Sequence, residues 1–253
     1  MRTNSIIASS NNNRGYGLNF DGTQEVLFNN NILALAQTYL QPNLPFSISI
    51  DIKVNASMFA ANGQGNFLWL NNNSLYDGIN TKGLNILSYD NSGIVNIGYA
   101  NLTNGFRFVV CNISASDIGK NVNMIFTHDG NVFKSYYRGR LQQVGTSGTL
   151  TGTIDYTTGI TAGIRYNTST FLQKGVIYDI KIYNKELISA ECMQHAIYNN
   201  VRSGLIYAIP FNQIAGATTH EEINNISASL VGYPIGSQPL RDARGVIVNN
   251  FTV

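Results

Sequence analysis

An antiparallel β-sandwich is the fold class that the sequence predicts, and three observations point to it. Between Pro42 and Val54, Phe46, Ile48, Ile50 and Ile52 alternate with Ser47, Ser49, Asp51 and Lys53, the period of two of a strand with one buried face. A second such run, GVIYDIKIY, ends at Tyr183 and places Val176, Tyr178, Ile180 and Ile182 on one side and Ile177, Asp179, Lys181 and Tyr183 on the other. Between them lie further short β-rich runs separated by Gly, Asn and Asp, the usual punctuation of antiparallel sheets.

Each element follows in order. Residues 1–15 are rich in Ser and Asn and are expected to form a flexible arm, with docking on a neighbouring subunit as the alternative. Leu18-Asn19-Phe20 leads to a turn at Asp21-Gly22, and Glu25-Val26-Leu27-Phe28 resumes the β pattern. After the Pro42–Val54 run come Phe67-Leu68-Trp69-Leu70, a hairpin of Leu84–Tyr89 and Ile94–Tyr99 across Asp90–Gly93, and Phe106–Val110. Asn121–Thr127 and Val132–Tyr137 are joined at His128-Asp129-Gly130, and the second closes in an Arg138-Gly139 turn. Gly159–Arg165 reads as the penultimate strand. Beyond Tyr183, Ser189 is the expected N-cap of a short helix whose packed side carries Met193, Ala196 and Ile197. From Ser203 onwards, strands are expected at Leu205–Phe211 and Ala228–Val231, with an apolar Val246-Ile247-Val248 near the end. This tail is too short to fold alone, so it reads as strands added to the sandwich or to a neighbour. The organisation expected is thus an arm over 1–15, a sandwich over 16–200 and an accessory extension over 201–253.

The LNFDGTQEVLF segment, the His-Asp-Gly hairpin and the YDIKIYNKELISAE ending resemble, in order, the strands and exit helix of the laminin-G-like, concanavalin A-like sandwiches. The resemblance spans residues 16–198 and implies a jelly roll with a short helix after the last main strand. Arg138 stands where that family usually has Asn, which tolerates a positive φ more easily. A chain of this type also looks like bacteriophage proteins that decorate a capsid or tail, which implies a virion location after synthesis in the host cytoplasm.

Composition limits the function classes. Charged residues make up 12% of the 253 and the net charge is +2, which gives no electrostatic case for nucleic acid or an anionic membrane. No apolar stretch approaches the ~20 residues of a membrane-spanning helix, and the polar N-terminal segment lacks the pattern of a signal peptide. Cys111 and Cys192 are the two cysteines, too few for a disulfide framework, and are expected to be reduced and buried.

Catalysis by a glycoside hydrolase or lyase would require two carboxylates flanking one bond. Asp51, Asp179 and Glu186 have no acidic partner two residues on, so a non-catalytic module is expected. His128 in a turn, His195 on a helix surface and His220 in a polar loop read as solvated or hydrogen-bonded side chains rather than bases. The resemblance implies a Ca2+ ion at the sandwich rim in a calcium-dependent lectin, for which Asp77 and Asp90 are candidates, although Asp before a Gly turn has backbone reasons of its own. Glycan or partner contact would use aromatic rings and amides, and the candidates are Trp69, Asn71, Asn72, Tyr76, Tyr89, Tyr99 and Tyr137. Trp69 alternates with Phe67, which favours a core position over a contact. Only one of Tyr136 and Tyr137 is expected to be buried. The role expected is adhesion or assembly, with protein neighbours, glycans or further copies of the chain as partners.

Overall fold

The computed structural model describes residues 18–21, 25–28, 30–60, 65–71, 83–88, 92–102, 105–145, 153–156, 161–162, 174–210, 218–220, 223 and 227–231, and structural statements concern these. In chain order the elements are β1 (Leu18–Asp21), β2 (Glu25–Phe28), α1 (Asn30–Tyr39), β3 (Pro45–Lys53), β4 (Gly65–Asn71), β5 (Gly83–Ser88), β6 (Ile94–Leu102) and β7 (Gly105–Asn112). They continue with β8 (Asn121–Asp129), β9 (Phe133–Tyr137), β10 (Arg140–Val144), β11 (Thr161–Ala162), β12 (Lys174–Tyr183), α2 (Ser189–Tyr198), β13 (Leu205–Pro210), β14 (Thr218–His220) and β15 (Ser227–Val231). Two short 3-10 turns lie at Ala56–Phe59 and Ala115–Asp117. The front sheet runs β1-β12-β3-β8-β9-β10, with β13 also on β12; the back sheet runs β14-β15-β2-β11-β4-β5-β6-β7. All pairings are antiparallel. This is the antiparallel sandwich that the alternating runs predict, of the jelly-roll type that the family resemblance implies.

The main core lies between the sheets. Phe46, Ile48, Ile50 and Ile52 of β3 meet Leu68, Leu70, Leu84, Val95 and Ile97 of the back sheet in one buried cluster. The opposite face of β3 differs from expectation: Ser47, Ser49 and Asp51 are buried too. Helix α2 and its flanking loops cover the front sheet from outside, over a second apolar cluster of Ile125, Tyr136, Tyr183, Leu187, Cys192 and Val201. A strand covered on both faces needs partners for its polar side chains, and these are present. The Ser47 hydroxyl donates to the Lys185 carbonyl at 2.9 Å and accepts from the Leu187 amide at 2.9 Å. The Asn123 amide donates to Ser49 Oγ at 2.8 Å and to Asp51 Oδ1 at 2.7 Å.

Three further expectations are corrected. In β12 a bulge at Tyr178 shifts the register between Ile177 and Asp179, so Ile177 joins Ile180 and Ile182 in the main core while Asp179, Lys181 and Tyr183 stay on the α2 side. In α2 the packed stripe is Cys192, His195 and Ala196, with Met193 exposed. The N-cap is Ile188, whose amide donates to the Glu191 carboxylate at 3.1 Å, and the Ser189 hydroxyl faces that of Tyr136 instead. Helix α1 has no counterpart among the expected elements, although Ile32, Ala36 and Leu40 have helical spacing and lie buried in the main core. Its end is fixed by two buried hydroxyls, since Tyr99 and Tyr156 both donate to the Leu40 carbonyl, at 2.9 and 2.6 Å.

The tail strands join both sheets, β13 along β12 and β15 along β2. His220 ends β14 rather than lying in a loop. The arm at 1–15, most of the expected Gly159–Arg165 strand and Val246–Val248 lie outside the described residues.

At the Arg138-Gly139 turn both residues have positive φ, 52° and 77°. Arg138 tolerates this conformation because its guanidinium is held, donating to Asp117 at 3.0 Å and lying 5.6 Å above the Tyr137 ring centre. A Cβ on Gly139 would stand 2.7 Å from Met193 Cα and 3.1 Å from Ala196 Cβ, so the turn is wedged against α2. Gly139→Ala is therefore expected to cost about 2–4 kcal/mol in urea unfolding; a variant within about 0.5 kcal/mol of the parent would show that α2 does not press on this turn.

Candidate functional site

Where β3 leaves the front sheet, the chain forms an open cleft of about 380 Å³ lined by Lys53, Val54, Asn55, Ala56, Ile118, Gly119, Gly175 and Val176. Local chemistry fixes each wall. Asn55 is extended, and its side-chain oxygen accepts from the Ser57 amide at 2.8 Å, starting the Ala56–Phe59 turn. The Val54 amide donates to the Lys120 carbonyl at 3.0 Å and the Gly119 amide to the Val54 carbonyl at 2.8 Å, which pins the 118–120 turn to the end of β3. Gly119 has a φ of +83° and open space where a Cβ would be. Gly175, at φ +118°, passes so close to Asn55 that a Cβ would lie 3.0 Å from that of Asn55.

The lining carries one ammonium, one carboxamide and aliphatic surface, with neither an acid nor an aromatic ring. Ile118 is 44% exposed. The Lys53 ammonium makes no hydrogen bond or ion pair with another described residue. Beside the lining, Asp117 accepts from the Tyr137 hydroxyl at 2.7 Å, from Arg138 at 3.0 Å and from Lys120 at 3.1 Å. Desolvation pushes its carboxyl upward, but these three partners outweigh that and hold it below the usual carboxylate range.

A second constellation lies beneath α2. Asp51 and Asp179 stand directly opposite one another on β3 and β12, although neither has an acidic neighbour along its own strand. Both are buried. Lys181 Nζ lies 3.0 Å from Asp179 Oδ2, Asn199 donates to the same oxygen at 2.9 Å, and Lys181 also donates to Asn199 Oδ1, closing a triangle. Next to it the Tyr183 hydroxyl is 3.2 Å from His195 Nδ1 and 3.3 Å from the Val201 carbonyl. Facing carboxylates are what a glycosidase uses, but here a helix and its loop close over them. Such a buried, hydrogen-bonded charge group reads as structural.

The contact and metal candidates distribute unevenly over the fold. Tyr99, expected at a contact face, is instead fully buried with its hydroxyl on Leu40, because its ring lies on the face of β6 that meets Phe46 in the main core. Tyr137 is half-buried, packs on the main core and spends its hydroxyl on Asp117; Tyr136 is buried in the cluster under α2. Trp69 and Asn71 lie in β4, opposite Asn85 and Gly83. Asn72, Tyr76, Tyr89 and the calcium candidates Asp77 and Asp90 lie outside the described residues. Among the described residues no group of three or more His, Cys, Asp or Glu side chains could hold a metal ion.

His195 is buried rather than on a helix surface, and His128 lies in β8 rather than in a turn, buried and hydrogen-bonded. The His128 ring stacks 4.4 Å from Phe133 and 5.2 Å from Phe46, and Nδ1 donates to the Leu44 carbonyl at 3.1 Å. Burial pushes its pKa below the ordinary 6.5, opposed by the Leu44 bond and by Asp129 and Glu186. Both cysteines are free and buried; burial raises both thiols, that of Cys192 to about 12. Nothing in the local sequence could reveal the cleft, because its walls come from three separate segments that carry no shared motif.

The chain matches no family model and no curated protein sequence. Among solved structures it is similar to a protein from Bacteroides ovatus with an inferred carbohydrate-binding role, at 12% identity and a TM-score of 0.60, over 87% of this chain and 59% of that one. It is also similar to the botulinum neurotoxin serotype D ligand binding domain in complex with N-acetylneuraminic acid, at 16% identity and a TM-score of 0.51, over 72% of this chain and 41% of that one. At these identities the likeness is one of fold, and the chain spans less than two thirds of either neighbour. Fold and cleft together define the class: a jelly-roll β-sandwich with an open, acid-free cleft at one end of its front sheet.

Two outcomes follow from the buried groups. Lys181→Met leaves two facing carboxylates under α2 without their cation, and a loss of about 3–5 kcal/mol is expected in urea unfolding; unchanged stability would show that the triangle is not a constraint. For His128, the native pKa lies below the unfolded one, so its contribution is complete above the unfolded value of 6.5 and is lost as pH falls from there towards the native value. His128→Phe is expected to flatten the fall in melting temperature between about pH 6.5 and 5, measured against the parent in the same buffers.

Proposed function

We propose that this chain is a non-catalytic glycan-binding module and that the cleft around Lys53 and Asn55 receives the sugar. The observation that carries this reading is a division of labour: the facing acid pair is sealed under α2, whereas the open cleft has hydrogen-bond donors and aliphatic walls and no carboxylate. A sugar needs polar groups for its hydroxyls and apolar surface for its ring faces. The similarity to sandwiches associated with carbohydrate binding, one of them in complex with N-acetylneuraminic acid, supports the same reading.

A second reading, as an assembly component, is favoured by exposed apolar side chains on two adjoining strands, Phe108 on β7 and Leu141 and Val144 on β10. With the low charge of the sequence, these suit a protein neighbour, and the phage-like type of the chain extends that to a capsid or tail surface in the virion. Electron microscopy and mass spectrometry of the native particle test this location; a chain found only free in the host cytoplasm would overturn it.

The glycan reading is tested by screening the folded protein on an array of neutral and acidic oligosaccharides, followed by calorimetric titration and product analysis. Saturable binding with the oligosaccharide recovered intact is expected. Cleavage of a glycosidic bond, or no binding across the array, would overturn the proposal.

A further inference from the structure

We infer that the cleft is selective for sugars that carry a carboxylate, hexuronic or nonulosonic acids, with the Lys53 ammonium as the counter-charge. The inference rests on the glycan-binding reading and narrows its ligand class. The local charge is one-sided. Lys53 lines the cleft and its ammonium engages no other described residue, whereas Lys120 and Arg138 flank it from the neighbouring turns. Among the residues whose side chains are described, the carboxylate beside them is Asp117, already shared between Tyr137, Arg138 and Lys120. A neutral sugar would leave the Lys53 charge unanswered; a carboxylate replaces its water with a charge-assisted hydrogen bond.

The geometry also separates a sugar acid from a phosphate or sulfate. Phosphate sites gather several backbone N–H groups or the fork of an arginine. Here the Gly119 amide is committed to the Val54 carbonyl and the Arg138 guanidinium to Asp117. One point charge remains, next to the Asn55 carboxamide, whose oxygen is held by Ser57 and whose N–H2 is a donor for a hydroxyl. Ile118 and Ala56, both exposed, supply apolar surface that a ring can cover and an inorganic anion cannot use.

The experiment compares 3′-sialyllactose with lactose, and glucuronic acid with glucose, by calorimetry or NMR titration of the full chain, with inorganic phosphate as an anion-only control. Acidic sugars are expected to bind at least about tenfold more tightly than their neutral counterparts, and to weaken as salt is raised. Lys53→Gln is expected to abolish that preference and its salt dependence without moving the melting temperature, and Lys53→Arg to restore most of it. Ile118→Asp, on the apolar wall, is expected to weaken both classes of sugar, and the acidic ones more. Equal binding of acidic and neutral sugars, or a preference that survives Lys53→Gln, would overturn the selectivity and leave the glycan reading standing. Phosphate binding as tight as the sugar acid would overturn the sugar assignment in favour of a general anion site. Absence of binding to every sugar would overturn both.

Discussion

The triangle of Asp179, Lys181 and Asn199 is the constraint on which the front of the molecule depends. It joins the middle of β12 to the residue that closes α2, where Asn199 adopts a left-handed conformation and donates its amide to the His195 carbonyl at 2.7 Å. Helix α2 therefore cannot slide along the sheet without breaking the two hydrogen bonds that Asn199 makes to the buried ion pair. With the helix fixed, Ser47 can fasten the loop before it, the cluster around Tyr183 and Leu187 closes, and the front sheet becomes covered on both sides. A buried ion pair of this kind is a weak source of net stability. Its effect here is positional, because the Asn199 side chain reaches both members of the pair only where α2 now sits.

That covering explains what the sequence discloses and what it withholds. The core face of β3 is legible because Phe46, Ile48, Ile50 and Ile52 repeat every second residue, and the strand order near the His128–Gly130 turn follows from turn chemistry. The second face misleads, because Ser47, Ser49 and Asp51 look like residues that face water. Only the arrival of α2, from far along the chain, turns them into an interior hydrogen-bonded layer. The Tyr178 bulge is equally invisible to a period-two reading, since one extra residue reverses the side of everything before it. Helix α1, by contrast, is readable in principle: Ile32, Ala36 and Leu40 carry the spacing, but polar Asn, Gln and Thr neighbours obscure it.

The candidate site is less legible than the fold for a related reason. Aromatic residues are the natural guess for sugar contacts, yet Tyr99, Tyr136 and Tyr137 all serve packing or hold a structural partner. Polar tips on aromatic side chains here finish the backbone accounting of a sandwich that also contains a helix, as Tyr99 and Tyr156 do at Leu40. The open surface is left to Lys53, Asn55 and two glycines, whose conformations are set by turns rather than by a motif.

The polar face of β3 has a consequence for how the chain is made. Its partners in the Lys185–Leu187 loop are synthesised about 140 residues later, whereas β8 and β9, which complete a three-stranded patch with it, emerge much sooner. Until β12 and α2 have been made, one side of the patch lacks its cover. On β3 that side carries hydroxyls and a carboxylate that water can satisfy, beside the apolar Ile125 and Tyr136 of the neighbouring strands. The polar groups of β3 trade water for protein partners once β12 and α2 arrive, so the same side chains are satisfied first by solvent and then by the fold.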